Sequence, residues 1–152
     1  MTLDFFAQGL PKGQPRAKAT RRGQHAGVYD PGTANDWKTT IRAAAKEAWK
    51  QTGILSAPLF TGPTRIDATF TFPRPKAHFK GKSENLRLDA PQYHYSKPDR
   101  DNLDKALLDA LTDLQVLKDD AQVSSGAITK LYAVPGQATG VRVHIISLEE
   151  TQ

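Results

Sequence analysis

The sequence predicts one α+β domain in which two main helices pack on a mixed β-sheet. Three patterns predict it: alternation of apolar and polar residues at 66–72, two longer segments with apolar residues at three- and four-residue steps, and two strand-like stretches near the carboxyl terminus. A chain of 152 residues, 38% of them hydrophobic, is long enough for one hydrophobic core but too short for two of ordinary size. We therefore expect a single domain over residues 1–152.

The amino-terminal half is expected to supply a strand, a helix and a second strand. Leu3–Gly9 forms the first strand. Asn35 or Asp36 can cap a helix that runs to about Lys50. The apolar face of this helix consists of Trp37, Ile41, Ala44, Ala45 and Ala48. Ile66–Phe72 then alternates as a half-buried strand does, and the following proline ends it.

The carboxyl-terminal half is expected to supply the second helix and two more strands. From Asp101 onward an apolar stripe recurs at helical spacing. Its members are Leu103, Ala106, Leu107, Ala110, Leu111 and Leu114. Val123–Val134 and Val141–Leu148 have the pattern of two strands, joined by a turn at residues 135–137.

Composition limits the kinds of site the chain can carry. It has no cysteine, which excludes disulfides and thiolate zinc sites. No apolar run approaches membrane-spanning length, and the start has no basic segment followed by a long apolar one, so we expect a soluble, cytoplasmic protein without a membrane partner. Its 21 Lys and Arg against 16 Asp and Glu give a formal net charge of +5, which weakly favours a polyanionic partner.

Positive charge is concentrated in two segments that lack helix or strand periodicity, Leu10–Gly27 and Pro73–Ser96. The first is either a flexible arm that neutralises phosphates or a solvated, partly disordered loop. The second precedes the acidic stretch and would guide a phosphate backbone towards it. The candidates for contacts with the phosphates of a polyanionic partner are Lys12, Arg16, Lys18, Arg74, Lys76 and Lys97.

Four further residues are of interest near these segments. Tyr93 and Tyr95 either stack on an unpaired base or pack within an ordinary strand, and packing is the favoured interpretation. Lys130 faces DNA or lies solvated at a sheet edge. We assign no catalytic role to His94, because nothing in the sequence pairs it with a nucleophile or an orienting carboxylate.

Negative charge is concentrated in one stretch. Seven of the 16 acidic residues lie between Asp99 and Asp120, and all seven are aspartate. Such a cluster is costly unless a cation offsets it, and hard divalent ions take carboxylate oxygens. An extended chain after Pro98 can turn Asp99 and Asp101 towards one point, and a third carboxylate returns after the helix. The stretch predicts the Mg²⁺ site of a phosphodiesterase, although an Asp-x-Asp at a helix start is often only a cap.

Three motifs resemble a known family. They are Lys97-Pro98-Asp99-Arg100-Asp101-Asn102-Leu103-Asp104-Lys105, Asp109-Ala110-Leu111 and Asp119-Asp120-Ala121-Gln122-Val123. Together they resemble the signature of the RusA family of Holliday-junction resolvases, and Gly9–Arg16 is similar to the family's amino-terminal pattern. Ala121 and Leu117 stand where a serine and an aromatic residue are common, and the glycine often found before the following strand is missing. None of these departures removes a charged site residue.

The resemblance implies a homodimeric endodeoxyribonuclease, often encoded by prophages, that nicks four-way DNA junctions with Mg²⁺ or, as a substitute, Mn²⁺. It implies Asp99, Asp101 and Asp120 as metal ligands and Lys105 as an essential lysine. Asp119 is the alternative third ligand, because a one-residue slip of register exchanges it with Asp120.

Two questions stay open from the sequence alone. Lys105 lies one turn after Asp101, so it either stabilises charge on the phosphate or forms a simple ion pair with Asp101, and Asp109 is placed to orient it. The alternatives to a junction resolvase are a non-catalytic DNA-binding protein with a structural metal and a nuclease for flaps or other branched DNA. The near two-fold symmetry of a junction agrees with a homodimer.

Overall fold

The computed structural model describes the backbone of residues 1–16, 18–22, 25–29 and 31–149, and the side chains of residues 1–16 and 31–149. Its strands and helices are, in chain order, β1 (Thr2–Gln8), β2 (Lys18–Arg22), β3 (His25–Tyr29), α1 (Asn35–Thr52), β4 (Thr64–Phe72), α2 (Arg100–Asp113), β5 (Val123–Ser125), β6 (Ile128–Tyr132) and β7 (Gly140–Ser147). Short 3₁₀ turns occupy Lys76–His78 and Asp120–Gln122. Over these ranges no helix is long and apolar enough to cross a membrane.

Strand β4 is the centre of a five-stranded mixed sheet. β7 lies antiparallel between β4 and β1, so the order on this side is β1, β7, β4. On its other side β4 pairs in parallel, first with β5 and then with β6 further along its length. Together with helices α1 and α2 this sheet confirms the predicted α+β class.

The core lies between the sheet and the two helices. α1 packs on β1, α2 contacts β6, and the two helices contact each other. Over most of β1, β4 and β7 alternate residues are buried, as the pleat predicts. In α2 the predicted apolar stripe is 0% exposed at Leu103, Ala106, Leu107, Ala110 and Leu111. Because these five residues are enclosed, the rotation of α2 about its axis is fixed, and Asp101 and Lys105 are exposed.

The predicted side-chain cap of α1 is wrong. The helix begins at Asn35 with Ala34 in the N-cap position, and no side chain accepts a capping hydrogen bond. Ala34 is only 1% exposed, and Asn35 donates its backbone N–H to the Gly32 carbonyl at 3.2 Å. Burial of the preceding residue, not a polar cap, sets this helix start.

The predicted single strand at Val123–Val134 is two strands, β5 and β6. The chain breaks at Gly126, whose φ is +135° and whose missing Cβ would lie 1.7 Å from the Ile66 carbonyl oxygen. Asp67 accepts a hydrogen bond from the Ala127 N–H at 2.9 Å and so satisfies the backbone at the break. After the break the chain pairs with β4 again as β6, in a different register from β5.

The predicted loop at Leu10–Gly27 includes most of the antiparallel hairpin β2–β3, which ends at Tyr29. This hairpin is a separate two-stranded sheet, and its ladder consists of backbone hydrogen bonds that need no alternating apolar residues. Periodicity therefore could not reveal it. The side chain of Lys18 lies outside the described residues, so its predicted DNA contact stays a prediction.

Candidate active site

The acidic stretch begins at the amino-terminal end of α2. Asp99 occupies the N-cap position with extended backbone (φ −68°, ψ 148°), and its carbonyl accepts the Leu103 N–H at 3.1 Å. Its side chain makes no capping hydrogen bond. Asp101, in the first turn, accepts a hydrogen bond from the Asn102 N–H at 3.0 Å. Both carboxylates lie on exposed residues at the positive end of the helix dipole, where negative charge is favoured.

Lys105 lies one turn further along α2 and faces Asp109. Its ammonium is 3.9 Å from the nearer carboxylate oxygen of Asp109, an exposed ion pair of small energetic value. This is the orienting contact that the sequence predicted for Asp109. Over the described residues Lys105 has no ion pair with Asp101, so the simple Asp101 pair is not formed.

The two aspartates after α2 have different environments. The Asp119 carboxylate accepts the Ala121 N–H at 2.8 Å, while Gln122 accepts the Asp119 N–H at 3.0 Å, which makes a capping box for the 3₁₀ turn. The Ala121 hydrogen bond is the main reason that the pKa of Asp119 is lowered. The pKa of Asp120 is raised, first by its side-chain hydrogen bond with Asp119 and then by desolvation and the charge of Asp119.

Asp120 also shares an electrostatic neighbourhood with the middle of α2. Lys105 lowers its pKa and Asp109 raises it. Asp104, half-buried on α2, has a pKa raised chiefly by burial, with Arg100 opposing and Asp120 adding to the shift. Sequence reasoning did not select Asp104. Its position three residues after Asp101, on the same side of the helix, was the available signal.

Lys130 approaches the start of α2 from β6. Its ammonium donates a hydrogen bond to the Ser96 carbonyl at 2.7 Å, and Asp99 is near enough to oppose the lowering of its pKa by burial. Lys130 is therefore neither a freely solvated edge residue nor remote from the acidic stretch. Lys130 thus lies near Asp99, and Lys105 lies near Asp120.

The amino-terminal segment docks against the same end of α2. The Gln14 N–H donates to the Asn102 carbonyl at 2.8 Å, and a Cβ on Gly13 would lie 2.9 Å from the Asn102 Cβ. A cleft of about 370 Å³ opens between residues 13–15 on one side and residues 97–99 with Asn102 on the other. Lys12 and Arg16, both exposed, flank the docked segment, and Lys97 lines the cleft. Of the predicted basic residues, Lys97 thus shares the cleft with Asp99.

Arg74 and Lys76 differ in how they are engaged. The Arg74 guanidinium donates to the carbonyls of Ala133 and Pro91, both at 2.7 Å, and lies 5.4 Å from the centroid of the Tyr132 ring. These bonds fasten the second basic segment to the end of β6. Lys76 is exposed in its 3₁₀ turn. Contact of either residue with DNA stays a prediction.

The described residues contain no group of three or more Asp, Glu, His or Cys side chains arranged to hold a metal ion. Convergence of Asp99, Asp101 and Asp120 on one ion therefore stays a prediction. The donor chemistry nevertheless fits a hard divalent cation, because the available groups are carboxylates and neighbouring carboxylates raise the pKa of Asp120. A cation would relieve that repulsion, which is the electrostatic condition for binding one.

Exposed carboxylates beside fixed lysines, on a chain with excess positive charge, point to the enzymes that cleave phosphodiester bonds. Residues 8–146 match the family model described as Endodeoxyribonuclease RusA, which covers nearly the whole chain. The chain belongs to the RusA family of endodeoxyribonucleases, as its motifs predicted. This is a family of Holliday-junction resolvases that bind branched DNA. No curated protein matches the chain.

Proposed function

We propose that this chain is a Mg²⁺-dependent resolvase that cuts four-way DNA junctions by paired, symmetric nicks as a homodimer. The observation that carries the proposal is the family match over residues 8–146, because that range includes all of α2 and the acidic turn after it. The exposure of Asp99 and Asp101 supports it, since a phosphate in duplex or branched DNA has to reach the carboxylates from solvent.

Asp99, Asp101 and Asp120 would hold the ion, with Mn²⁺ as a substitute. Two observations support this choice of ligands. The Asp99 carboxylate makes no capping hydrogen bond, whereas the Asp119 carboxylate is already used in its capping box. When bound, a divalent ion supplies a Lewis acid for a phosphoryl oxygen and an acidified water. In the overall reaction water adds across one P–O bond of the DNA backbone, and the strand is left with a phosphate end and a hydroxyl end.

The lysines have a separate role from the carboxylates. Lys105, held by Asp109, is placed to stabilise negative charge that develops on the phosphate or the leaving oxygen. Lys97 lines the cleft beside Asp99, and Lys12 and Arg16 are exposed residues next in sequence to its other wall. All three would bind neighbouring phosphates, which positions the backbone without reading its sequence. Arg74 would act mainly by holding its loop.

The proposal is tested by comparing the wild-type chain with Asp101→Asn on a synthetic four-way junction in Mg²⁺ at one stated salt concentration. We expect cleavage to fall at least about 100-fold, because a ligand and its charge are lost together. Junction binding in EDTA should stay normal or tighten, since repulsion between Asp101 and phosphate is relieved. Asp113→Asn is the matched control: it makes the same change at the far, exposed end of α2 and should cleave normally.

Linear duplex, flap and single-stranded DNA serve as substrate controls in the same assay. Cleavage of the junction at least about tenfold faster than the others supports a resolvase. Equal rates on every substrate would contradict junction specificity and leave a nuclease of broader choice. Unfolding of Asp101→Asn, together with an inactive wild-type chain, would indicate the DNA-binding protein with a structural metal instead.

A further inference from the structure

Two large aromatic side chains are exposed just before the acidic stretch. Tyr93 is 60% exposed and Tyr95 is 82% exposed. The expectation that they pack within an ordinary strand is therefore wrong for their side chains. A single exposed aromatic residue needs no explanation, but two neighbouring ones beside a proposed DNA site form a surface with a chemistry of its own.

The backbone that presents these tyrosines is fixed to the sheet. Tyr93 forms an antiparallel bridge with Leu131. The His94 N–H donates to the Lys130 carbonyl at 3.0 Å, and the Tyr132 N–H donates to the Gln92 carbonyl at 2.9 Å. Residues 92–94 thus extend the sheet beyond β6, and this anchoring limits the conformational entropy that a ligand contact would cost.

His94 anchors the segment from the inner side. Its ring stacks on Phe72, with centroids 3.9 Å apart and planes 18° apart, and lies 5.0 Å from the ring of Tyr132. Because side chains alternate along an extended chain, the inward position of His94 leaves its two tyrosine neighbours on the opposite side. His94 thus helps to hold this segment against the sheet.

The spacing of the tyrosines along the chain matches the thickness of a stacked base. On an extended chain, the Cα atoms of residues two apart are separated by about 6.4 to 6.8 Å. Successive bases stack at about 3.4 Å, so one base fits between two rings at twice that spacing. Aromatic side chains stack on any base, and the bases that can reach them are those not already enclosed in a duplex.

The location connects this surface with the carboxylates. Asp99 is only four positions after Tyr95, a reach of at most about 14 Å. The connecting chain is itself held, because Lys130 binds the Ser96 carbonyl. The segment before the tyrosines is rich in cations, with Lys76, Lys80, Lys82 and Arg87 all in it. That charge favours nucleic acid as the occupant over a second copy of this basic chain.

We infer that Tyr93 and Tyr95 form a stacking subsite for an unpaired or unstacked nucleobase at the branch point of the DNA. This inference deepens the proposed function and rests on it. It assigns the tyrosines to binding and not to the chemical step. A base held there would place phosphates within about four nucleotides of it beside Asp99.

The test uses junctions that carry the fluorescent base 2-aminopurine at the branch point, bound to the full chain in EDTA so that no strand is cut. We expect the wild-type chain to change the fluorescence through stacking, and the double variant Tyr93→Leu with Tyr95→Leu to lose that change. Its junction affinity should fall about tenfold or more. Affinity for linear duplex should change less than about twofold, since its bases stay stacked. The double Phe variant keeps both rings and should behave as wild type.

Leu88→Ala is the matched control, because Leu88 is 99% exposed in the same basic segment and is not aromatic. An unchanged fluorescence signal in the double Leu variant would overturn the inference, as would Phe and Leu variants that lose equal affinity. Sedimentation of each variant tests whether a second copy of the chain occupies this surface. A loss of dimer in the Leu variant alone would make the surface an interface between copies and overturn the inference.

If the wild-type chain cleaves junctions while the double Leu variant binds and cleaves them equally well, only the stacking subsite fails. If the wild-type chain shows no preference for junctions, the proposed function fails.

Discussion

Asp119 and Asp120 are adjacent residues of the same type, but their side chains have different hydrogen bonds and different charged neighbours. Asp119 accepts the Ala121 N–H and completes a capping box with Gln122, whereas Asp120 lies in the field of Lys105 and Asp109. The sequence alone could not choose between them, since the choice depends on a 3₁₀ turn that begins at Asp120. Gln122 in the motif was the one sequence sign of this capping box.

We predict that Asp120→Asn and Asp119→Asn differ in their effect on junction cleavage. Asp120→Asn should lower junction cleavage at least about 100-fold with little change in thermal stability, because it removes the charge of a proposed metal ligand from an exposed position. Asp119→Asn keeps an oxygen that can accept the Ala121 N–H and should retain most activity. Parallel measurement of cleavage rates and melting temperatures distinguishes them. Reversed results would make Asp119 the third ligand.

Asp104 gives a prediction about pH. Burial raises its pKa, so the folded chain binds this proton more tightly than the unfolded chain does, and the ionised carboxylate lowers stability. The sign follows: Asp104→Asn should be more stable than wild type at pH 7, and its advantage should disappear as the pH falls below about 4. Urea unfolding at both pH values checks this. An advantage that persists at low pH would show that the effect is not electrostatic.

The same carboxylate should assist cation binding, which explains why a destabilising group can be useful here. Its negative charge acts on Asp120 across the gap between α2 and the 3₁₀ turn. We therefore expect Asp104→Asn to weaken Mn²⁺ binding about fivefold, measured by titration of the unliganded chain. Asp113→Asn again provides the control. Equal Mn²⁺ affinities in the two variants would exclude Asp104 from the electrostatics of the site.

At the scale of elements, α2 could be predicted well because five of the six residues of its apolar stripe are fully buried and the sixth, Leu114, is partly buried. Strand β4 was equally clear from its alternation, and each was located to within a residue or two. The hairpin β2–β3 and the break at Gly126 could not be predicted. The first needs no apolar period, and the second depends on how closely β6 approaches the Ile66 backbone, a contact between residues 60 positions apart.

The docked amino-terminal segment was also visible only in part. Its motif was recognised, but its position against α2 follows from the absence of a side chain at Gly13 and a backbone hydrogen bond from Gln14 to Asn102. Neither leaves a periodic signal. The two contacts bring one wall of the cleft to Asp99, so this segment belongs to the site as much as α2 does.

We predict that Gly13→Ala displaces this wall. The added Cβ would lie 2.9 Å from the Asn102 Cβ and 3.3 Å from the Pro98 Cβ, so the segment must move away from α2. Junction cleavage should fall about tenfold, because small displacements of a positioning group are costly, while stability falls by about 1 to 3 kcal/mol. Gly62→Ala is the control, since nothing lies within 4 Å of its Cβ position. Equal cleavage by the two variants would show that the docked segment does not position the site.

For the whole molecule, the separation of charge matters more than its sum. The formal net charge of +5 coexists with seven aspartates in residues 99–120, so DNA is attracted to the chain and locally repelled at the proposed site of cleavage. A cation between carboxylates and phosphate resolves that conflict. The affinity of DNA for the chain should therefore fall as the salt concentration rises, whether or not a divalent ion is present.

The proposed homodimer makes a prediction about the number of cuts. A junction presents two equivalent strands, so two identical sites related by a two-fold axis can cut both while the complex persists. On a supercoiled plasmid with an extruded cruciform, the wild-type dimer should yield linear DNA. A mixed dimer with one Asp101→Asn subunit, purified with two different tags, should yield nicked circles, because only one site can act. A mixed preparation that still gives linear DNA from single binding events would show that one subunit makes both cuts. Sedimentation that finds only monomers on the junction would contradict paired sites directly.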